Sequence, residues 1–339
     1  MDSNKKSSLF SAMLVSLLAF CFCFTSCGPS AAEVAIRSAP SVQAVTGLED
    51  KLIWLKGNAQ SGGSYILEID DDEKNIDCGG FFSSCTELSY KDKSNITITL
   101  RGIGANRTIN NGFTVKSGVT LVLDDNIILK GKTQRVDNGG TLVMNDGSTI
   151  TGVINNSNSP GVNRIRGAGV YVSDGGTFIM KGGTISGNTI RPRPLTAQEV
   201  AQAKNSYALG YSALGGNKNN KAVNKAEEAM NVVAIPVGAG VYVSGGVAKN
   251  EYSPPFISAA PSGTFIKTGG TVTGYSSDPE NGNVLMDVDG NILNGFGHAV
   301  FFDTPTFDSK KEPKAIDTTV GPEITLHFSN GVLREGGNE

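Results

Sequence analysis

The sequence predicts an all-β chain built as a parallel β-helix, a solenoid of short stacked strands, and three observations carry that expectation. The first is composition: of 339 residues, 43 are glycine, 28 asparagine and 25 threonine. Glycine is about twice as frequent as usual. The excess lies in turn formers and a β-branched residue, which excludes a mostly helical protein. The second is a repeat, in which GVTLVLDDNIILKG from Gly118, GGTLVMNDGSTITG from Gly139, GGTFIMKGGTISG from Gly175 and SGTFIKTGGTVTG from Ser262 align. Thr120, Thr141, Thr177 and Thr264 form one column, and Leu121, Leu142, Phe178 and Phe265 the next. Leu129, Ile150, Ile185 and Val272 form a third, and Gly131, Gly152, Gly187 and Gly274 a fourth. The third observation is a shorter motif ahead of each unit: NGFTV at Asn111, GAGVYV at Gly167 and again at Gly238, and GHAVFF at Gly297.

Each unit therefore reads as strand, turn, strand, tight glycine turn and strand, with no helix between. The first spacing, Thr120 to Thr141, is 21 residues, and the later ones of 36 and 87 exceed it by loop insertions. A period in the twenties with three short strands is the pattern of a solenoid. Identical positions then stack at the strand spacing of ~4.8 Å, so aliphatic columns fill one core and glycine columns supply positive-φ corners. Columns of threonine and asparagine hydrogen-bond from repeat to repeat. Lys267 is the misfit, standing where Leu123, Met144 and Met180 stand: either that column faces outward in the last repeat or the core tapers there. An antiparallel β-sandwich is the alternative, and turns repeated in register are harder to explain in it.

From the N-terminus, Lys5 and Lys6 precede an apolar run from Leu9 to Phe24 that ends at TSCG. This is the form of a secretory signal peptide over residues 1–26, too short and asymmetric for a membrane span. The tail FTSC resembles the lipobox of bacterial lipoproteins, with Phe24 where leucine is usual; it makes Cys27 the lipidated first residue of the mature chain, against ordinary cleavage near Ala31. Gly28 in place of aspartate gives no inner-membrane retention signal. Residues 27–44, rich in Pro, Ser and Ala, read as a tether. Thr46 and Glu49 have capping-box spacing, and Leu48, Leu52 and Leu55 share one face, so an amphipathic helix ended by Gly62 and Gly63 is expected. Trp54 reads as core packing rather than a ligand platform. Cys78 and Cys85, separated by GGFFSS in an exported chain, are a candidate disulfide or two free thiols.

At GAGVYVSDGGTFIMKGGTISGNT the chain resembles the glycine-rich repeat lipoproteins of spirochaetes, and DKLIWLKGNAQSGGSYILEI, NITITLRG and the tail GYSSDPENGNV to GHAVFF to TTVGPEITL are similar to the same family. The resemblance implies a single right-handed parallel β-helix over residues 45–335 and a lipid-anchored protein of the outer membrane or cell surface. It implies no catalytic residues. The chain departs from its own repeat at residues 191–236, where Thr196 and Glu199 repeat the capping-box spacing and one or two helices are expected to project as an insertion. That module is either a partner-binding excursion or a tolerated surface insertion.

The chemistry is sparse. With 29 basic and 32 acidic residues, the chain has no electrostatic footprint for nucleic acid. Asp125 and Asp146 occupy one column of neighbouring repeats, about one strand spacing apart, as a carboxylate pair for calcium or for acid and nucleophile roles; they also sit where turn residues are ordinary. The run Asp70 to Glu73 lacks calcium-loop spacing and reads as a turn. His298 shares a column with Ala168 and Ala239, His327 lies in ITLHF, and two isolated histidines make neither metal site nor triad. No nucleophile elbow, phosphate loop or zinc-protease motif occurs, GIGANR at Gly102 misses the dinucleotide fingerprint, and no cofactor is expected. Two functions stand: an anchored β-helix of structural or adhesive role, contacting a polysaccharide or a host or envelope protein, and a carbohydrate-active lyase or hydrolase.

Overall fold

The computed structural model describes residues 47–74, 76, 86–159, 164–203, 234–247, 260–305 and 312–336. Cys27, Cys78, Cys85, the expected signal peptide and tether, and residues 204–233 of the expected insertion lie outside the described residues. The described chain is all-β, with mainly parallel pairing and helix confined to two short segments.

The first helix, α1 (Leu48–Asn58), buries Leu48, Leu52 and Leu55 on one face. Trp54, partly buried, packs edge-on to Tyr65, with ring centroids 6.3 Å apart, and lies against the core. Thr46 lies outside the described residues. The residue before the helix is Gly47, which has no capping side chain. The cap comes from across the chain: Leu48 N–H donates to Glu73 Oε1 at 2.7 Å, a carboxylate placed where the helix dipole favours one. The acidic run thus supplies acceptors as well as a turn, since Asp72 Oδ1 takes Thr108 N–H at 2.7 Å. The helix stops at Asn58, and Gly62 forms the turn that follows.

Beyond α1 the chain visits three sheets in a fixed order. Ser64–Ile69, Ile96–Gly102, Val119–Leu123, Thr141–Met144, Thr177–Met180 and Thr264–Lys267 pair in sequence as parallel neighbours of an eight-stranded sheet. The strands that follow them, from Glu73–Lys74 to Thr271–Val272, form a six-stranded parallel sheet. A third sheet of seven strands holds Glu87–Leu88, Thr114–Val115, Gln134–Val136, Val170–Val172, Val241–Val243 and Val300–Phe302, with Lys314–Ile316 at its edge. Smaller sheets fill two corners: Ile154–Asn155, Thr189–Ile190 and Val284–Leu285 in one, Arg164–Arg166 and Ile235–Val237 in the other.

The columns read from the sequence are the observed register. Thr120, Thr141, Thr177 and Thr264 are direct neighbours, as are Leu121, Leu142, Phe178 and Phe265, and the column extends backward through Thr97 to Ser64. Leu129, Ile150, Ile185 and Val272 align likewise and are all buried. In the glycine column, Gly131, Gly152 and Gly187 have positive φ, whereas Gly274 does not. Gly274 is required by proximity instead, since a Cβ there would lie 2.1 Å from the Asp317 carbonyl oxygen. The reading that the motif stands ahead of each unit needs correction: none precedes the Gly139 unit, GHAVFF follows the Ser262 unit, and NGFTV does not neighbour GAGVYV directly. Gln134–Val136 stands between, with Thr114 beside Arg135 and Arg135 beside Tyr171.

The asparagine expectation is met at one corner. Asn188 and Asn283 are both fully buried; Asn188 Nδ2 donates to Asn283 Oδ1 at 2.8 Å, and Asn188 Oδ1 accepts Val153 N–H at 3.1 Å. Each amide so satisfies backbone groups that the corner leaves unpaired. Lys267 faces the interior, 0% exposed. It sits at the end of the parallel stack, where Leu326–Ser329 joins antiparallel, and its ammonium donates to the carbonyls of Gly321 at 2.6 Å and Ile324 at 2.9 Å. The core tapers there: the chain closing the last repeat supplies carbonyls where earlier repeats supply Leu123, Met144 and Met180.

A groove lined by arginine and tyrosine as the candidate site

Strand alternation in VYV sends the valines of the seven-stranded sheet inward and the tyrosines to the other face. Register then stacks like on like. Tyr171 and Tyr242 lie 5.2 Å apart at 6°, and Tyr242 and Phe301 6.0 Å apart at 9°. Tyr242, Phe301 and Val237 form an apolar cluster separate from the main core. The Arg135 guanidinium covers the open end of this stack, 4.7 Å from the Tyr171 ring. From the neighbouring corner strand, Arg166 lies 5.7 Å from the Tyr242 ring and Arg164 5.9 Å from the Phe301 ring. Such contacts contribute roughly 0.5–2 kcal/mol each and, more usefully, fix long side chains in place.

One step along the strands a polar row begins. Asp137 accepts Lys116 Nζ at 2.8 Å and Arg135 Nε at 2.5 Å. Burial alone would push its carboxyl up, but hydrogen bonds and charge from these two cations outweigh it and hold Asp137 below the usual carboxylate range. That is the wrong direction for a general acid. Asp303 accepts the Tyr242 hydroxyl at 2.7 Å and Arg164 Nη1 at 2.8 Å. Burial, reinforced by the Asp303 charge, pushes the Tyr242 phenol up, so it stays a donor. Asp174 accepts the Ser244 hydroxyl. Two adjoining open cavities of about 430 and 460 Å³ share Arg135, Arg166 and Tyr171, making one groove that crosses several repeats; Asn155, Ser157 and Asn158 line its far wall.

The carboxylates singled out in the sequence lie elsewhere. Asp125 and Asp146 stack in register at exposed turns after the eight-stranded sheet, and among the described residues neither makes an ion pair. Their visible role is in the turns: a Cβ on Gly182 would come within 2.0 Å of Asp146 Oδ1, so the carboxylate occupies the space a side chain would take. Asp124 beside them pairs with Arg101 at 2.7 Å. His298 is fully buried, accepting Leu285 N–H at Nδ1 at 3.0 Å and facing Asn294 Oδ1 at 3.3 Å from Nε2. Burial lowers its pKa despite Asp317 nearby, which fits a neutral structural imidazole. His327 is exposed on Leu326–Ser329, opposite Ile266 on one side and Arg334 on the other. Among the described residues no group of three His, Cys, Asp or Glu side chains is placed to hold a metal.

Sequence reasoning passed over the groove because its charged residues sit in segments that do not match the repeat. TQRV and NRIRG align with nothing when glycine columns are the guide. The available signal was the doubled GAGVYV, whose tyrosines fall at the same alternate position. Comparisons of the chain with protein families, with curated proteins and with solved structures find no match.

Proposed function

We propose that this chain is a right-handed parallel β-helix, anchored to the outer membrane or cell surface by lipid on Cys27, whose groove binds an extended polysaccharide without turning it over. The fixed order in which the chain visits its three sheets supports the β-helix, and the resemblance to spirochaete repeat lipoproteins supports its handedness and anchoring. One observation carries the binding function: the groove presents guanidinium donors, carboxylate acceptors, amides and hydroxyls together on a surface fixed by in-register stacking. A chain of hydroxyls, each both donor and acceptor, with apolar ring faces between them, complements such a mixed lining.

A lyase or hydrolase reading has its own support in the Asp303, Tyr242 and Arg164 cluster, where a phenol and two charges meet. Incubating the protein with soluble glycans, while measuring both binding and newly formed reducing or unsaturated ends, separates the readings. Binding without new ends is the expected result. Release of ends would move the assignment to an enzyme, and failure of every glycan to bind would reject the groove as a polysaccharide site.

A further inference from the structure

The geometry points to an acidic glycan as the occupant of this groove, its anionic groups taken by Arg166 and Arg135; the inference rests on the polysaccharide reading and narrows its ligand. Four cations, Lys116, Arg135, Arg164 and Arg166, face three carboxylates, Asp137, Asp174 and Asp303. The pairing is uneven. Lys116 and Arg135 share Asp137, Arg164 is matched by Asp303, and Asp174 is engaged by the Ser244 hydroxyl. Arg166 is left with no ion pair and no side-chain hydrogen bond among the described residues, although its guanidinium lies 5.7 Å from the centroid of the Tyr242 ring.

Arg135 is in a related position. Its Nε is committed to Asp137 and its face to Tyr171, while its two Nη groups make no hydrogen bond among the described residues. A guanidinium held by a ring is pre-organised, so little rotamer entropy is lost when its planar fork meets a carboxylate or sulfate. The surrounding carboxylates choose between classes of anionic polymer. Asp137, Asp174 and Asp303 accept hydrogen bonds from sugar hydroxyls, but they repel a polyanion that brings no hydroxyls to them. A glycan that carries both anions and free hydroxyls satisfies both sets.

The test uses the full chain in detergent micelles with four probes: polygalacturonate, chondroitin sulfate, neutral galactan and poly-glutamate. Wild-type protein is expected to bind a charged glycan at least about tenfold more tightly than galactan. Arg166→Ala is expected to weaken that binding about ten- to a hundredfold, the range of a lost charge-assisted bond, and Arg166→Lys to fall between. Unchanged circular dichroism shows that the variants fold. Tighter binding of chondroitin sulfate than of polygalacturonate assigns the sulfate, which only the former carries; equal or weaker binding assigns the carboxylate, which both carry; and either supports the inference. Galactan binding as tightly as the charged glycans, or Arg166→Ala binding them like wild type, overturns the inference and leaves the polysaccharide reading standing. Poly-glutamate outcompeting every glycan overturns both in favour of an acidic peptide, and no binding by any probe overturns both outright.

Discussion

Ile185 illustrates how much one side chain carries in a stacked core, because it touches a repeat on either side. It is fully buried between Ile150 and Val272. Truncation to alanine is expected to cost about 2–5 kcal/mol, read as a lower denaturation midpoint; an unchanged midpoint would put this column at the surface. Asn188 acts through its amide rather than its volume. Asn188→Ala strands Val153 N–H and removes one of the two hydrogen bonds that Asn283 Oδ1 accepts, at an expected cost of about 1–3 kcal/mol. A variant as stable as wild type would mean that water replaces the ladder. Lys267 gives a pH signature. Burial pulls its amine below the ordinary 10.5, with Glu323 opposing, so over the interval below 10.5 the unfolded chain holds a proton that the folded chain has released. Stability therefore rises with pH through that interval. Lys267→Met, the residue type of the same column at Met144 and Met180, should flatten the rise. The same alkaline slope in both proteins would assign it to other groups.

Individual strands were legible where the same turn recurs. The Thr, Leu and Ile columns were readable because parallel in-register pairing forces equivalent residues to the same depth, and the columns stand out against a turn rich in glycine. Ser64–Ile69 and Ile96–Gly102 belong to the same column but end in different turns, so alignment on glycines did not bring them in. The groove was hidden for a related reason: Arg135, Arg164 and Arg166 come from strands without the motif, and only pairing places them beside Tyr171 and Tyr242. The expected capping box at Thr196 is present, with Glu199 N–H donating to Thr196 Oγ1 at 3.2 Å and Thr196 N–H to Glu199 Oε2 at 2.9 Å, and residues 197–203 are helical. Both flanks of this insertion are tied to the repeats. Asn158 Nδ2 donates to the Arg193 carbonyl at 2.9 Å, and Ile235–Val237 pairs with Arg164–Arg166. Replacing residues 197–232 by a short Gly/Ser linker should leave the strand signal in circular dichroism, since closure entropy changes slowly with loop length. Aggregation of that variant would show that the segment is needed to cover the sheets.

Across the described residues, one geometric rule joins the fold to the groove: each parallel pass of the chain adds one strand to each of the three larger sheets, so side chains distant in sequence become a continuous surface. Anchoring is a separate matter that the sequence alone raises. Labelling with a radioactive fatty acid is expected to mark the wild-type protein and not Cys27→Ala, and a labelled variant would remove the anchor from the account. The central claim, that the repeats stack one strand per pass, is tested most directly by distances between spin-label pairs at Ser64 with Thr177 and Ser64 with Thr264. These positions are four and five strands apart in one sheet. The backbone separations should be about 19 and 24 Å, a difference of one strand spacing of ~4.8 Å although 87 residues separate Thr177 from Thr264. Distances that do not order by strand position, or a second distance no longer than the first, would contradict the proposed parallel β-helix and with it the groove.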